Sequence, residues 1–421
     1  MQPAVPARAC GIDFGTSNST VGWLRPDAST LLVLEDDKPT LPSAVFFNAD
    51  EDSTHFGRDA LEQYLEGYEG RLMRALKSLL GSSLIDGQTE VGGRALRFRD
   101  LLASFIGELK CRAEMQAGRA FDQAVFGRPV HFVDDDEAAD RKAQDTLEAI
   151  ARQVGFSEVS FQFEPIGAAL HYERSLTAEE VVLIADIGGG TADFSLVRLS
   201  PERARRDERA DDLLGNAGVH IGGTDFDRAL SLDCVMPLLG YRGLMKNGAH
   251  IPASLYFQLA TWHTINFAYS RQAWADLQNI YRDAAARTEL DRLARLVSQR
   301  EGHWLALQVE QAKIDLSTAA AAHLDLNRLE DGLQHTITTA DFVAATATLV
   351  ERVGECVGQL LQDAGLRRDQ VDTVYFTGGA SGVPQLRARI PAELPAARSV
   401  EGDLYGSIGA GLAVEAARRY G

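Results

Sequence analysis

A glycine-rich hairpin carrying an acid occurs twice in this chain. In the first copy Ala9-Cys10-Gly11-Ile12-Asp13-Phe14-Gly15 reads as a strand, Thr16-Ser17-Asn18-Ser19 as a turn, and Thr20-Val21-Gly22-Trp23-Leu24 as the returning strand. The second copy lies 173 residues on, from Asp13 to Asp186: strand 181–186, the turn Ile187-Gly188-Gly189-Gly190-Thr191-Ala192-Asp193, and strand 194–197. An internal repeat is the economical reading. After the first hairpin, Asp135 or Asp136 can cap a helix over 138–154 that stops at Gly155, and β-rich 159–163 leads into Glu164-Pro165. After the second, 341–365 has helical apolar spacing and 371–376 reads as a strand running into Thr377-Gly378-Gly379-Ala380-Ser381-Gly382. Two α/β lobes with helix-covered central sheets follow from this alternation.

Size agrees, since 421 residues are too many for one core. Residues 1–176 are expected to form the first lobe, with 400–421 packing back on it, and 177–399 the second. The second lobe should contain a helical insertion at about 253–316, where Trp262, Trp274, Leu277, Ile280, Tyr281, Leu290, Leu293, Leu296 and Trp304 are spaced to form apolar stripes. The net charge of −18 argues against nucleic acid or an anionic membrane surface as partner. Cys10, Cys111, Cys234 and Cys356 include no C-x-x-C pair and read as reduced thiols. The first ten residues lack an apolar leader segment, and no stretch approaches the roughly 18 apolar residues of a membrane span. A cytoplasmic location and a monomer are expected. His131, His171, His220, His263 and His303 are scattered and read as structural.

The turns carry the chemistry. Glycine lets a backbone approach a ligand closely, successive N–H groups make an anion nest, and the Thr16, Ser17 and Thr191 hydroxyls add donors. An acid beside a phosphate would be repelled unless a divalent cation stood between them, which implies Mg²⁺ held largely through water. Taken alone, the first hairpin could equally be one whose Asp and Ser cap their own turn. Three consecutive glycines in the second are more than a structural turn needs. Neither G-x-G-x-x-G nor the P-loop pattern G-x-x-x-x-G-K-[ST] describes these turns. Two facing hairpins would clamp a triphosphate between them, and the cluster at 377–384, between a strand and a helix, suits a nucleoside or a plain strand-to-helix turn.

These motifs, in this order, resemble the nucleotide-binding domain of the heat-shock-70 (DnaK-type) chaperones, within the actin, sugar-kinase and heat-shock-70 superfamily. The resemblance spans essentially the whole chain and is nearest to the YegD-like branch. It rests on Gly11 to Ser19 and Asp186 to Asp193 as phosphate motifs and on Glu164-Pro165-Ile166-Gly167-Ala168-Ala169 and Ser407-Ile408-Gly409-Ala410-Gly411 as connecting motifs. Gly222-Gly223-Thr224-Asp225-Phe226-Asp227 and Phe376-Thr377-Gly378-Gly379 complete it. It implies a two-lobed actin-like ATPase fold, a duplicated ribonuclease H-like repeat, binding ATP or ADP with Mg²⁺. By motif, Asp13 and Asp186 would orient the metal and its waters, and Asp193 the attacking water. Lys77 would neutralise γ-phosphate charge and Glu164 would stand near the water at a hinge. Gly15, Thr16, Ser17, Asn18, Gly188, Gly189, Gly190, Thr191, Gly222 and Gly223 would contact phosphate. Glu310, Lys313 and Ser317 would meet the ribose, and Gly378, Gly379 and Ala380 the nucleoside.

Two substitutions separate the chain from the family pattern at the base. Ile314 stands where an arginine usually stacks on adenine, and Gly379-Ala380-Ser381-Gly382 replaces Gly-Ser-Thr-Arg, so weaker adenine binding is expected, by ~1 to 3 kcal/mol for a lost stacking cation. A peptide-binding domain is expected to be lacking, since the sequence stops soon after the second connecting motif. The expected function is a chaperone-type ATP switch with slow Mg-dependent hydrolysis, stress-related, with a protein client or co-chaperone as partner. The alternatives are a sugar-type small-molecule kinase of the same superfamily and a non-hydrolysing nucleotide-sensing scaffold.

Overall fold

The computed structural model describes residues 8–25, 30–133, 136–206, 210–403 and 406–421. Asp135, residues 1–7 and the His171 side chain lie outside the described residues. Two compact units are present, Met1–Gly222 with Arg352–Gly421, and Gly223–Glu351.

The first unit holds both predicted hairpins, each at the heart of a five-stranded sheet. The ten strands of these sheets are numbered in chain order. One sheet is built from β1 (Ala9–Phe14), β2 (Asn18–Gly22), β3 (Thr40–Pro42), β4 (Gln123–Arg128) and β5 (Glu158–Phe163), in the order β5-β4-β1-β2-β3. The other contains β6 (Glu180–Ile187), β7 (Ala192–Leu199), β8 (Leu213–Val219), β9 (Thr373–Thr377) and β10 (Arg398–Glu401), in the order β10-β9-β6-β7-β8. The orders correspond strand for strand. So do the senses: β1 and β6 are antiparallel to the next strand in sequence and parallel to the strand that returns after a helix. The duplication inferred from two turns therefore extends over whole sheets.

Burial accounts for the strand composition. All six residues of β1, and all of β6 from Leu183 to Ile187, are buried, as expected of strands covered on both faces. Helices Phe98–Ala117 and Glu137–Gln153 cover the first sheet, contributing Leu101, Leu102, Phe105, Ile106, Leu147 and Ile150 to one core cluster with Ile12, Phe14 and Phe126. Asp136 caps the second of these helices, its Oδ1 accepting from the Ala138 and Ala139 N–H groups at 3.1 and 2.9 Å. A second cluster joins the two sheets through Val125, Ala168, Ala169, Val182, Ile184, Ile408 and Leu412. It lies under helices Glu164–Glu173 and Ser407–Tyr420, the two connecting motifs of the sequence. They pack glycine on glycine: a Cβ on Gly411 would overlap the Gly167 backbone.

The second unit is largely helical. Ser254–Leu259, Arg271–Asp283, Thr288–Ser298 and Gly302–Asp315 are α-helices, with a 3-10 segment at Trp262–Tyr269. Of the predicted apolar stripes, Trp262, Leu277, Leu290, Leu293, Leu296 and Trp304 are buried, while Trp274, Ile280 and Tyr281 are partly exposed because Arg271–Asp283 buries only one narrow strip. Among the described residues no helix is long and apolar enough to cross a membrane.

Candidate functional site

The two glycine turns come together. Gly15 to Asn18 link β1 to β2, and the segment is braced by Ser43, just beyond β3, whose hydroxyl donates to Gly15 O at 2.6 Å and whose N–H donates to Ser17 O at 2.9 Å. Gly188 to Thr191 link β6 to β7 in a turn closed by the Gly188 N–H to Thr191 O bond of 2.9 Å. A Cβ on Gly189 would sit 2.5 Å from Ser17 Oγ and 3.0 Å from Thr16 Cβ, and one on Gly190 would sit 3.2 Å from Thr16 Oγ1. Gly222 lies against the same turn, since its Cβ would fall 2.5 Å from Gly189 C. Only bare backbone allows three segments to meet this closely.

Beneath the turns five ionisable groups are buried together: Asp13 at the end of β1, Asp186 and Asp193 in β6 and β7, Glu164 at the first turn of its helix, and Lys77. Asp186 and Asp193 are register partners across the β6–β7 pair. Lys77 lies in a single 3-10 turn, Leu76–Leu79. That turn is entered through Ala75, whose φ of 52° lies in the left-handed region. Leu76 and Leu79 anchor it in the core, and the Lys77 ammonium is ion-paired with the Glu164 carboxylate, both side chains buried. Glu164, which unaided reads as a loop acid, is thus a buried counter-ion.

Four carboxyls against one ammonium leave an excess of negative charge in a buried space, and the protonation equilibria register it. Burial, reinforced by Glu164 and offset by Lys77, pushes Asp13 up to about 7. Asp193 is also pushed up to about 7, by burial and then Glu164, with the Thr191 hydroxyl, the Val130 N–H and Lys77 pulling the other way. Asp186 is raised well above the usual carboxylate range by burial and by Glu164, Asp193 and Asp13. Burial alone would depress Lys77, but Glu164, Asp13 and Asp193 outweigh it and hold the ammonium charged.

Some oxygens in the cluster have no partner among the described residues. Asp193 Oδ1 accepts the Val130 N–H at 2.9 Å, while its Oδ2 is buried with no hydrogen bond. Asp186 Oδ1 and Thr377 Oγ1, on register-paired residues of β6 and β9, are likewise buried and unsatisfied. Gly378 follows with φ 80°, and its Cβ would collide with Asp186 Oδ1 and the Ile187 carbonyl. Among the described residues no three His, Cys, Asp or Glu side chains form a direct metal cage. The donors fit a cation held through its waters: orphaned carboxylate oxygens in a space with surplus negative charge.

Gly378, Gly379 and Ala380 form the turn after β9, Gly379 and Ala380 within a 3-10 turn, Gly379–Gly382. Gly382 faces open space. The neighbouring cation, Arg387, is committed elsewhere, donating to Ser381 O at 2.8 Å and pairing with Glu401. In the second unit Glu310 and Lys313 lie on Gly302–Asp315, with Ser317 just beyond it. Lys313 is ion-paired with Asp227 at 2.8 Å and donates to Gly223 O at 3.3 Å, and Ile314 beside it is 52% exposed. Sequence reasoning did not find Ser43 or Val130, nor that Thr377 lies beside Asp186 and that Lys313 pairs with Asp227, because each of these contacts joins residues far apart in sequence.

The profile of the family described as Hsp70 protein matches residues 9–236 and 287–417. The chain belongs to the Hsp70 family. The two stretches hold both glycine turns, all five buried ionisable groups and both connecting motifs of this Hsp70 chain, and the unmatched 237–286 holds helices Ser254–Leu259 and Arg271–Asp283. Among curated proteins it is similar to "Chaperone protein DnaK" of Thermosipho melanesiensis, 25% identical over 379 residues, and to "Chaperone protein DnaK" of Thermosipho africanus, 26% identical over 379 residues. In each case 90% of this chain aligns with 53% of the relative, so the chain spans about half the length of the curated relatives it matches.

Proposed function

We propose that this chain is an ATP-binding switch of the chaperone type that hydrolyses ATP slowly in the presence of Mg²⁺. What supports the reading is the meeting of two glycine turns over a buried cluster with more carboxyls than cations. Such a cluster is expensive to keep ionised without a cation, and the turns above it offer the backbone and hydroxyl donors that phosphate oxygens require.

Asp13 and Asp186 would hold Mg²⁺ through its waters, and the ion would supply the positive charge that offsets the β- and γ-phosphates. Thr16, Ser17 and Thr191 hydroxyls donate to phosphate oxygens, with Gly15, Asn18, Gly188, Gly189, Gly190, Gly222 and Gly223 keeping side chains out of the way. Asp193, fixed through Oδ1 on the Val130 N–H, presents Oδ2 to the attacking water and takes its proton. A carboxyl poised near 7 is suited to that exchange. Lys77 exchanges its Glu164 partner for phosphate, since both are anionic, and so couples nucleotide arrival to the helix that Glu164 begins. The base and ribose contacts of Glu310, Lys313, Ser317, Gly378, Gly379 and Ala380 rest on the family resemblance, and Lys313 must loosen from Asp227 to take part. Lobe opening and closing driven by hydrolysis, and a protein client or co-chaperone as its reader, belong to the same proposal.

The test is calorimetric titration of ATP with Mg²⁺, followed by phosphate release from the parent and from Asp186→Asn. Saturable binding with slow release, lowered by ~10² to 10⁴ in the variant, is expected. Release unaltered in Asp186→Asn defeats the assignment, and turnover that depends on an added sugar or polyol makes the chain a kinase instead.

A further inference from the structure

We infer that Ser78 is an additional phosphate-binding residue, its hydroxyl donating to the terminal phosphate of the bound nucleotide. The inference rests on the nucleotide reading above and adds a residue to it.

The turn that buries Lys77 also presents Ser78. In a 3-10 turn successive side chains point about 120° apart, so neighbouring residues serve different surroundings. Lys77 reaches Glu164, while Ser78 reaches the glycine turn: a Cβ placed on Gly190 would lie 3.6 Å from Ser78 Oγ, next to its 3.2 Å approach to Thr16 Oγ1. Three hydroxyls from two separate segments, Thr16 and Ser17 after β1 and Ser78 after strand Gly70–Arg74, thus surround Gly189 and Gly190. Ser78 is also the one residue of its turn left partly open, while Leu76, Lys77 and Leu79 are buried. Its position is rigid, held by the Ser78 N–H to Ala75 O bond of 3.1 Å, by the left-handed Ala75 and by the two leucine anchors.

A neutral donor beside the Lys77 ammonium is chemically apt for a terminal phosphate. The lysine supplies charge without direction, and a hydroxyl fixed on a stiff turn supplies direction at no further cost in charge. In the proposed function Lys77 leaves Glu164 for the terminal phosphate, and Ser78, already against the Gly190 turn that is to bind phosphate, meets that group from its own side. Ser78 therefore bears on the distinction between ATP and ADP.

The experiment compares ATP and ADP affinities, each with Mg²⁺, for the parent, Ser78→Ala and Ser78→Thr. Loss of a hydrogen bond to a charged group predicts ATP binding weakened about tenfold or more in Ser78→Ala with ADP binding little changed, and near-parental ATP binding in Ser78→Thr. ATP and ADP affinities both unchanged, or both weakened equally, in Ser78→Ala overturn the assignment while leaving the proposed function standing. A parent protein that binds neither nucleotide overturns the proposed function and this inference with it.

Discussion

Replacing Asp193 by Asn removes one charge from the buried cluster while keeping an oxygen to accept the Val130 N–H. Its carboxyl lies at about 7 in the folded chain against 3.8 for the free group, so between those values the folded state binds a proton that the unfolded state does not. Stability of the nucleotide-free parent therefore falls as pH rises through that window and levels off above 7. The full displacement from 3.8 to about 7 corresponds to about 4 kcal/mol, and the part between pH 5 and pH 8 to about 3 kcal/mol. The amide brings a buried donor of its own at every pH, so the quantity to read is the change in the variant-minus-parent difference, not the difference at one pH. Comparison with the parent also cancels carboxylates of opposite sign, such as Glu415, which Arg418 and Arg419 hold below the usual range despite burial. In thermal melts of the nucleotide-free proteins, Asp193→Asn should gain on the parent between pH 5 and pH 8 by ~3 to 6 °C, at roughly 1 to 2 °C per kcal/mol for a chain of this size. An equal gap at both pH values, or a variant that loses ground as pH rises, refutes the account of a strained acidic cluster.

Gly222→Ala places a methyl against the Gly189 and Gly190 backbone, which cannot swing aside as a side chain can, and should cost ~2 kcal/mol or more; Gly382→Ala, facing open space, should melt like the parent. Equal melting temperatures for the two would show that the close approach of Gly222 is not needed. Ile314→Arg replaces a side chain already 52% exposed, so it should leave stability within about 0.5 kcal/mol and raise ATP affinity roughly fivefold or more. Calorimetry showing no gain would mean that this position does not face the base.

What could be read from the sequence was what glycine, acid and periodicity encode locally. Both hairpins, the capped helix at Glu137–Gln153, the long helix Thr339–Asp363 and the duplicated α/β plan follow from patterns confined to a few turns of chain. The site's electrostatics could not be read that way, because each decisive contact joins distant residues through the sheets. Lys77 is buried because Glu164, 87 residues away, meets it, and Asp193 is oriented by a backbone N–H 63 residues earlier. Lys313, which the resemblance names as a ribose contact, is tied to Asp227, 86 residues before it. None of these pairings leaves a trace in hydropathy or spacing. Family resemblance pointed to Lys77 and Glu164 as individual residues near phosphate and water, whereas the structure joins them as a pair. That changes the physics of the expected first step. A free lysine would simply attract a phosphate, but a lysine already neutralised in a buried site must be offered a better anion. The exchange is favourable only when a ligand brings enough negative charge, and enough compensating cation for the remaining carboxyls, to leave Glu164 no worse off.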